Sequence, residues 1–348
     1  MQPRSSIVIG GGIAGLTAAS NLAGRGVHIT LIERKAVLGG HALTVCCKAI
    51  DGECQLCGGC LLPPHIEAVR QSPDIDVLTE TIVTQVNRVN GEFHIHLSSP
   101  QTTLDPVHAD AVILATGFDH IDALSKGPYG YGAVPAVTTG EEMERHIKEE
   151  GQAAYDGRGL ERVAFIQCVG SRDEHAGRGY CSQVCCRYAL RLARLLKSHL
   201  PEVEITIHKM DMQTGGRDIA PAWHAAMEEG VGVVSGLPAV IEASPTDPKE
   251  GLFVYEDALT GERKEVAYDL IVLSTGMRPR ADAAEVARQF GLNRGPYGFF
   301  ATEADGTSTI APGVFVTGCC QAPRSMAESV AHAKRAAQAC YRYLREAL

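Results

Sequence analysis

The thiols of residues 163–186 offer the clearest chemistry in this sequence. The segment reads VAFIQCVGSRDEHAGRGYCSQVCC, and Cys168, Cys181, Cys185 and Cys186 follow the spacing C-x12-C-x3-C-C. Thiolates from a loop and a helix start can surround one iron–sulfur cluster, and four thiolates can also hold zinc. The spacing alone leaves three alternatives: a metal or cluster site, a redox dithiol, and buried thiols without chemistry.

A second group of thiols lies nearer the N-terminus, in and just before the segment ECQLCGGCLLPP. Its members are Cys46, Cys47, Cys54, Cys57 and Cys60. The last three follow C-x2-C-x2-C and could supply three ligands of a second cluster, with one of the first two as the fourth. The alternatives are a redox dithiol at Cys57/Cys60 and structural or unligated thiols.

The whole chain has the composition of a globular protein with two domains of ordinary size. It has 348 residues, of which 45% are hydrophobic and 21% are charged. The net charge of −9 provides no basic stripe for nucleic acid. No apolar run approaches the roughly 18 residues of a membrane span, and no signal peptide is evident, so we expect a cytoplasmic protein. In a reducing compartment its twelve cysteines favour metal or redox chemistry over disulfides.

A dinucleotide-binding unit opens the chain. The β-branched run SSIVIG leads into G-x-G-x-x-G, formed by Gly10, Gly12 and Gly15, and then into a helix that runs to about Ala23. A second strand, VHITLIE, ends at Glu33, about 20 residues further on, where an acid that binds ribose is expected. Gly12 lets the backbone approach a pyrophosphate, and free N–H groups at the helix start attract its charge.

Three further motifs favour FAD as the dinucleotide. Glu33 is followed by Arg34 and Gly39-Gly40, a continuation typical of FAD-binding two-dinucleotide-fold proteins. DAVILATG and DLIVLSTG are apolar strands that end in A/S-T-G, as at the crossings between the FAD and NAD domains of flavin disulfide reductases. We therefore expect an α/β, thioredoxin-reductase-like flavoprotein fold. Its split FAD-binding domain would cover residues 1–150 and 270–348, and an NAD-like domain would cover residues 151–269.

The C-terminal part of the FAD site carries one departure from this pattern. GVFVTGCC precedes a predicted helix over residues 325–348, and Cys319 stands where the superfamily has an aspartate. It either removes a negative charge beside FAD or fills a tight turn, and both interpretations stay open. The following helix would aim its N-terminus at the flavin ring. The candidate FAD contacts are Gly10, Gly12, Ile13, Ala14, Gly15, Glu33, Arg34, Gly39, Gly40, His41, Val83, Ala115, Thr116, Gly117, Gly318, Cys319 and Met326.

The inserted domain begins like a second nucleotide fold but lacks the nucleotide loop. A strand at RVAFIQ and a helical pattern from Ser182 to Leu200 flank the segment CVGSRDEHAGRGYCS. Its glycines do not form G-x-G-x-x-G, and Asp173 and Glu174 would repel phosphates. The sequence therefore argues against an NAD(P)H site here.

Three separate motifs resemble the A subunit of heterodisulfide reductase, and the similarity covers nearly the whole chain. They are CVGSRD…YCSQVCC, YGYG followed by VTTGEEME, and CQAPRSMAESVAHA. The resemblance implies that Cys168, Cys181, Cys185 and Cys186 bind a [4Fe–4S] cluster close to FAD. We expect the chain to lack the ferredoxin modules and the long N-terminal extension of the methanogen form. The chain therefore resembles the short form in the heterodisulfide-reductase-like complexes of sulfur oxidisers, and the missing modules argue against electron bifurcation.

These observations predict an FAD and [4Fe–4S] electron-transfer subunit. It would interconvert two-electron and one-electron transfer, form a homodimer and work with iron–sulfur and heterodisulfide-reductase-like partner subunits. One alternative is an NAD(P)H-dependent FAD disulfide reductase that uses Cys57/Cys60, and another is a zinc-stabilised FAD-binding scaffold.

Overall fold

The structure is a computed structural model that describes residues 4–100, 104–213 and 219–346. Residues 347 and 348 of the predicted C-terminal helix lie outside these ranges. Within them, no helix combines the length and the apolar character that a membrane span requires.

The helices and strands alternate along most of the chain. Over the described residues the helices are α1 (Ile13–Ala23), α2 (Leu62–Gln71), α3 (Gly140–Glu150), α4 (Cys185–His199), α5 (Ile219–Glu228), α6 (Ala283–Phe290) and α7 (Met326–Glu346). The strands are β1 (Ser5–Ile9), β2 (His28–Ile32), β3 (Ile75–Leu78), β4 (Ile82–Val89), β5 (Glu92–Ser98), β6 (Val107–Ala109), β7 (Ala111–Leu114), β8 (Asp119–His120), β9 (Val137–Thr139), β10 (Arg162–Val169), β11 (Glu204–Lys209), β12 (Gly232–Ser235), β13 (Pro238–Ala243), β14 (Gly251–Glu256), β15 (Arg263–Tyr268), β16 (Leu270–Thr275), β17 (Met277–Arg278) and β18 (Val314–Val316).

The chain divides into two compact units. The first contains residues 1–43, 58–119 and 278–348, and the second contains residues 44–57 and 120–277.

The first unit is built on a parallel sheet in the order β18-β7-β1-β2-β3. Its central strand β1 is apolar and buried because both faces of the sheet are covered. Helices α1 and α7 pack on one face, with Leu16 and Leu344 fully buried there. On the other face, Ile7 and Val112 pack with the antiparallel sheet β4-β5-β6 and helix α6.

The second unit repeats this plan with the order β12-β11-β10-β16-β9, also parallel. Helix α4 buries Ala189, Leu192 and Leu196 against the sheet. A three-stranded antiparallel sheet, β13-β14-β15, packs with the opposite face through Phe253 and Tyr268.

The unit boundaries differ from the predicted domain limits at three places, of which the shortest is residues 270–277, in the second unit. Residues 120–150 lie in the second unit because β9 pairs with β16 and α3 packs beside it. Residues 44–57 also belong there, since the buried side chain of Cys46 joins the core around Met143 and Ile147. Sequence alone grouped these segments with the FAD-binding domain, because the motifs within them do not indicate which sheet they pack against.

Candidate functional site

The glycine-rich loop of the first unit lies where the strand order of the sheet reverses. The chain runs outward from β1 to β2 and β3 on one side, and it returns to β7 and β18 on the other. In open parallel sheets, ligands bind at the carboxyl ends of the strands at such a point. Gly10 and the segment Ala115–Gly117 follow β1 and β7 directly, so the structure brings both predicted segments to this edge.

Close packing explains two of the three motif glycines. A Cβ atom on Gly10 would lie 2.3 Å from the Ala115 oxygen, and one on Gly15 would lie 1.8 Å from the Gly10 oxygen. Gly12 is different, because its Cβ would meet nothing nearer than Gly40 Cα at 4.0 Å. The space beside Gly12 is therefore open, as a bound pyrophosphate requires.

Helix α1 begins directly after Gly12 and is not capped by a side chain. The N–H groups of its first turn, including those of Ile13 and Ala14, therefore remain available to a phosphate. On the other side of the loop, the Gly39 N–H donates to the Gly11 oxygen at 2.7 Å, and Gly40 adopts a φ of +57°. The Gly39 bond thus joins the two sides of the loop, and the free donors are the N–H groups at the start of α1.

The acid at the end of β2 is held in place by the same loop. The Gly11 N–H donates to Glu33 Oε2 at 2.7 Å, and the Lys35 N–H donates to Oε1 at 2.8 Å. Glu33 is 7% exposed. Dinucleotide-binding folds have at this position, after the second strand, the acid that binds a ribose hydroxyl. FAD is therefore supported by the fold and by the open loop.

The other candidate FAD contacts are distributed around this edge of the first unit. Arg34 forms an ion pair with Asp282 at 3.2 Å and borders a cavity of about 320 Å³ near Ile82. Val83 follows in β4. His41 stacks on Phe118 with ring centroids 4.3 Å apart, and one of its ring nitrogens lies 2.8 Å from the Phe118 oxygen.

The segment that starts α7 also lies beside the glycine loop. Gly318 has a φ of +70°, and a Cβ there would lie 2.7 Å from Ala14 Cβ. Cys319 is buried, donates to the Arg324 oxygen at 3.5 Å and has a pKa raised by burial. It is therefore a neutral thiol packed in a turn, which fits both interpretations of this position. Met326 is the first residue of α7.

The four cysteines of the second unit lie at the equivalent position of its sheet. There the strand order reverses between β10 and β16. Cys168 stands at the end of β10, in a bulge where the register with β16 shifts. Cys185 and Cys186 open α4, and Cys185 Sγ lies 3.8 Å from the Thr275 oxygen at the end of β16. The cysteine loop therefore occupies the place of a second nucleotide loop.

The backbone of this loop is strained. Cys168, Arg172 and Gln183 have φ values of +59°, +57° and +61°, although side chains other than glycine rarely adopt this region. Such residues cost of order 1–3 kcal/mol each and persist where surrounding contacts hold them. Here the Arg172 N–H donates to the Tyr180 oxygen at 2.9 Å, and the Tyr180 hydroxyl donates to the Met277 oxygen at 2.7 Å.

The four thiols are close enough to influence one another. Burial raises the pKa of Cys185 well above its ordinary value, and the charges of Cys168, Cys186 and Cys181 raise it further. Burial raises the pKa of Cys168 to about 11. The hydrogen-bonded guanidinium of Arg172 opposes this rise, because its positive charge favours the thiolate. A cation in their midst would release these protons, because metal ligands bind as thiolates.

A buried amide precedes the first of these cysteines. Gln167 is fully buried, and neither its Nε2 nor its Oε1 has a hydrogen-bond partner. A buried amide without a partner costs about 1–3 kcal/mol. The four thiols and the helix start fit a metal–sulfur group. The sequence analysis missed Gln167 and Arg172; their positions beside Cys168 were visible, but their burial and bonding were not.

The second cysteine group is divided between the two units and differs in burial. Cys46 is buried in the core of the second unit, whereas Cys47, Cys54 and Cys60 are exposed. Burial raises the pKa of Cys46 to about 11, and nearby Cys57 contributes to this rise. Cys57 belongs to the second unit and Cys60 to the first. All twelve cysteines lie within the described residues and are free thiols.

The fold and the open glycine loop define a protein of the two-dinucleotide oxidoreductase class. Residues 4–339 match the family model for pyridine nucleotide-disulphide oxidoreductases, and the chain belongs to that family. Thioredoxin reductase from Lactococcus lactis has the same fold, with a TM-score of 0.65 at 22% identity over 99% of both chains. The predicted fold class is therefore confirmed.

Curated relatives confirm the resemblance to the A subunit of heterodisulfide reductase. The iron-sulfur A subunit of the CoB–CoM heterodisulfide reductase of Methanocaldococcus jannaschii is 29% identical over 97% of this chain and 64% of its own length. A corresponding iron-sulfur A subunit of Methanopyrus kandleri is 30% identical over 95% of this chain and 63% of its own length. The chain thus spans less than two thirds of the length of these relatives.

Proposed function

We propose that this protein is an FAD and [4Fe–4S] electron-transfer subunit of a heterodisulfide-reductase-like complex. The observation that carries the proposal is the cysteine loop at the strand-order reversal of the second unit, where a nicotinamide dinucleotide would otherwise bind. The relatives are named as iron-sulfur subunits, which favours a cluster over zinc. When bound, FAD supplies both two-electron and one-electron chemistry, and a [4Fe–4S] cluster supplies one-electron transfer.

The chain's own residues bind and orient these groups. Gly12 leaves room for the pyrophosphate, α1 offers its free N–H groups, and Glu33 holds the ribose. Cys168, Cys181, Cys185 and Cys186 would ligate the cluster, which is supported by their position around one loop and by the influence of Cys168, Cys181 and Cys186 on the pKa of Cys185. No general acid or base is needed, because the protein sets the position and surroundings of the cofactors.

The wider setting of this protein is part of the same proposal. It would act in cytoplasmic sulfur oxidation as a homodimer, together with iron–sulfur and heterodisulfide-reductase-like partner subunits. The relatives are themselves subunits, so we expect little overall turnover from the isolated chain.

Metal analysis and spectroscopy of anaerobically purified protein test the proposal. We expect FAD, about four iron and four sulfide per chain, and an EPR signal after reduction. A Cys185→Ala variant should lose the iron and keep FAD. The matched control is Cys340→Ala, which removes a buried thiol from α7 in the first unit and should keep both.

Two other results would overturn this assignment. Zinc without iron would indicate an FAD-binding scaffold. Rapid bleaching of the flavin by NADPH alone, together with reduction of a disulfide substrate that is lost in a Cys57→Ser or Cys60→Ser variant, would indicate a disulfide reductase.

A further inference from the structure

We propose that Glu92, His94 and His108 bind one divalent late first-row transition-metal ion, such as Zn²⁺ or Ni²⁺. The three residues lie in the first unit, on the antiparallel sheet β4-β5-β6. This site is separate from the glycine loop and from the four-cysteine loop, and it does not depend on the proposed electron-transfer function.

Side chains alternate between the two faces of strand β5, and this places the proposed ligands Glu92 and His94 on one face. Phe93 and Ile95 point into the core and are 3% and 0% exposed. Since successive side chains of a strand point to opposite faces, Glu92 and His94 point away from that core. Their side chains are 46% and 29% exposed, so both can reach an ion from solvent.

The pairing of β5 with β6 supplies the third ligand. His94 lies directly opposite His108 in the antiparallel register, beside the buried pair Phe93 and Ala109. The two imidazole rings have centroids 4.2 Å apart and meet edge to face. His94 Nε2 lies 3.3 Å from Glu92 Oε2, and one ligand atom from each of the three residues lies within 4.8 Å of the other two.

This donor set determines the class of ion. Two imidazoles and one carboxylate suit zinc, nickel, copper or iron, whereas magnesium and calcium prefer oxygen ligands. Ligand distances of about 2.0–2.2 Å require the three groups to close slightly around the ion. Half-exposed side chains on a strand surface can do this by rotating, and water or another small ligand would complete the coordination.

Binding would have a structural consequence as well. An ion held by His94 and His108 links β5 to β6, and one residue after β6 the chain enters β7 of the central parallel sheet. A ligand that binds the folded state alone stabilises that state. We therefore expect the ion to stabilise the first unit, because His94 and His108 can bind the same ion only while β5 and β6 are paired.

Calorimetric titration of the tag-free, cofactor-loaded chain with Ni²⁺ tests the site. His94→Ala and His108→Ala should each remove one bound ion, or weaken it at least about tenfold, compared with the unmodified chain. Glu92→Gln, which keeps the side-chain shape, should weaken the same ion. Because the twelve thiols are common to every variant, differences between the isotherms isolate this site from any thiol-bound nickel.

His96 provides the matched control. It is the next histidine along the same face of β5, and it lies outside the three-residue group. His96→Ala should give the isotherm of the unmodified chain. Identical isotherms for His94→Ala, His108→Ala and the unmodified chain would overturn the proposal, and so would an equal loss in His96→Ala. Circular dichroism of each variant checks that the fold is retained.

Discussion

Lys48 Nζ lies 2.9 Å from Glu144 Oε2, and the two side chains are 2% and 12% exposed. Glu144 also accepts a hydrogen bond from the Cys46 N–H at 3.3 Å. The ion pair therefore fastens the cysteine-bearing segment 44–57 to helix α3 inside the second unit. The carboxylate of Glu144 raises the pKa of Lys48 against the opposing effect of burial, so the lysine remains charged.

Replacing Lys48 by Met should destabilise the second unit by about 3–5 kcal/mol, because it leaves the Glu144 carboxylate buried without a counter-charge. Urea unfolding followed by the fluorescence of Trp223, the single tryptophan, measures this loss in the unit concerned. A second substitution, Glu144→Gln, should recover part of the loss because it removes the unpaired charge.

The control for this variant is Arg162→Met in the same unit. Arg162 Nε lies 3.4 Å from Glu204 Oε2, and the two side chains are 53% and 70% exposed. Surface pairs contribute little because water and salt screen them. Losses of equal size in Lys48→Met and Arg162→Met would contradict the role of the buried pair.

Gly12 and Gly15 should respond differently to substitution by alanine. A Cβ on Gly12 has open space, and its φ of −75° suits any residue. Gly12→Ala should therefore change the unfolding free energy of the FAD-free protein by no more than about 0.5 kcal/mol, yet weaken FAD binding at least about tenfold, because the methyl group occupies the pyrophosphate position.

Gly15→Ala supplies the contrast, since its Cβ would lie 1.8 Å from the Gly10 oxygen. We expect that variant to lose stability with or without FAD. Flavin fluorescence titration and denaturant unfolding separate the two effects. Unchanged FAD affinity in a folded Gly12→Ala variant would place the pyrophosphate elsewhere.

Features that depend on neighbouring residues in the chain could be predicted from the sequence. The strand, glycine loop and helix around Gly12 are local in the chain, so composition and spacing suffice to recognise them. The placement of Cys168 follows from the same logic, since a loop after a central parallel strand lies at the binding edge.

The remaining features depend on contacts between distant parts of the chain. From the sequence Lys48 would be expected at the surface, but in the structure it is buried beside Glu144 of α3. His94 and His108 meet because of one particular strand register, which the sequence does not specify. Cys46 and Cys47 are adjacent in sequence, yet one is buried and the other exposed. Side-chain burial of this kind is decided by packing, and no local pattern encodes it.

His208 should make the second unit sensitive to mild acid. It is fully buried, its ring lies 4.3 Å from that of Phe253, and one of its nitrogens lies 2.9 Å from the Tyr268 hydroxyl. Burial lowers its pKa from 6.5 to about 4. Between these values the unfolded chain binds a proton that the folded chain does not, so stability falls as pH falls from about 6.5 towards 4.

The expected size of this effect is about 2 kcal/mol between pH 7 and pH 5. His208→Phe should reduce the pH dependence of urea unfolding by that amount, whatever its effect on stability at pH 7. Between pH 7 and pH 8 the two proteins should show the same dependence, because His208 is neutral in both the folded and the unfolded chain there. An unchanged dependence below pH 7 would mean that His208 is protonated in the folded protein.

Gln167 should matter more to the proposed cluster than to the fold. Its amide is buried without a partner, directly before Cys168. Gln167→Met keeps a similar volume and removes the cost of that amide, so the cluster-free protein should be as stable as the unmodified chain, or more stable. We expect the amide to be retained because, directly before Cys168, it could donate a hydrogen bond to a sulfur of the proposed cluster and so raise its reduction potential.

The stability of the cluster-free protein and the potential of the cluster-loaded protein together distinguish a role in packing from a role beside the proposed cluster. In the cluster-loaded protein, Gln167→Met should shift the midpoint potential of the EPR signal to a lower value, because a donor that stabilises the more negative, reduced cluster has been lost. Gln167→Glu would be expected to lower the potential further, since it adds a negative charge where the donor stood. A Met variant with reduced stability and an unchanged potential would contradict this prediction, because the amide would then serve the packing of β10 alone.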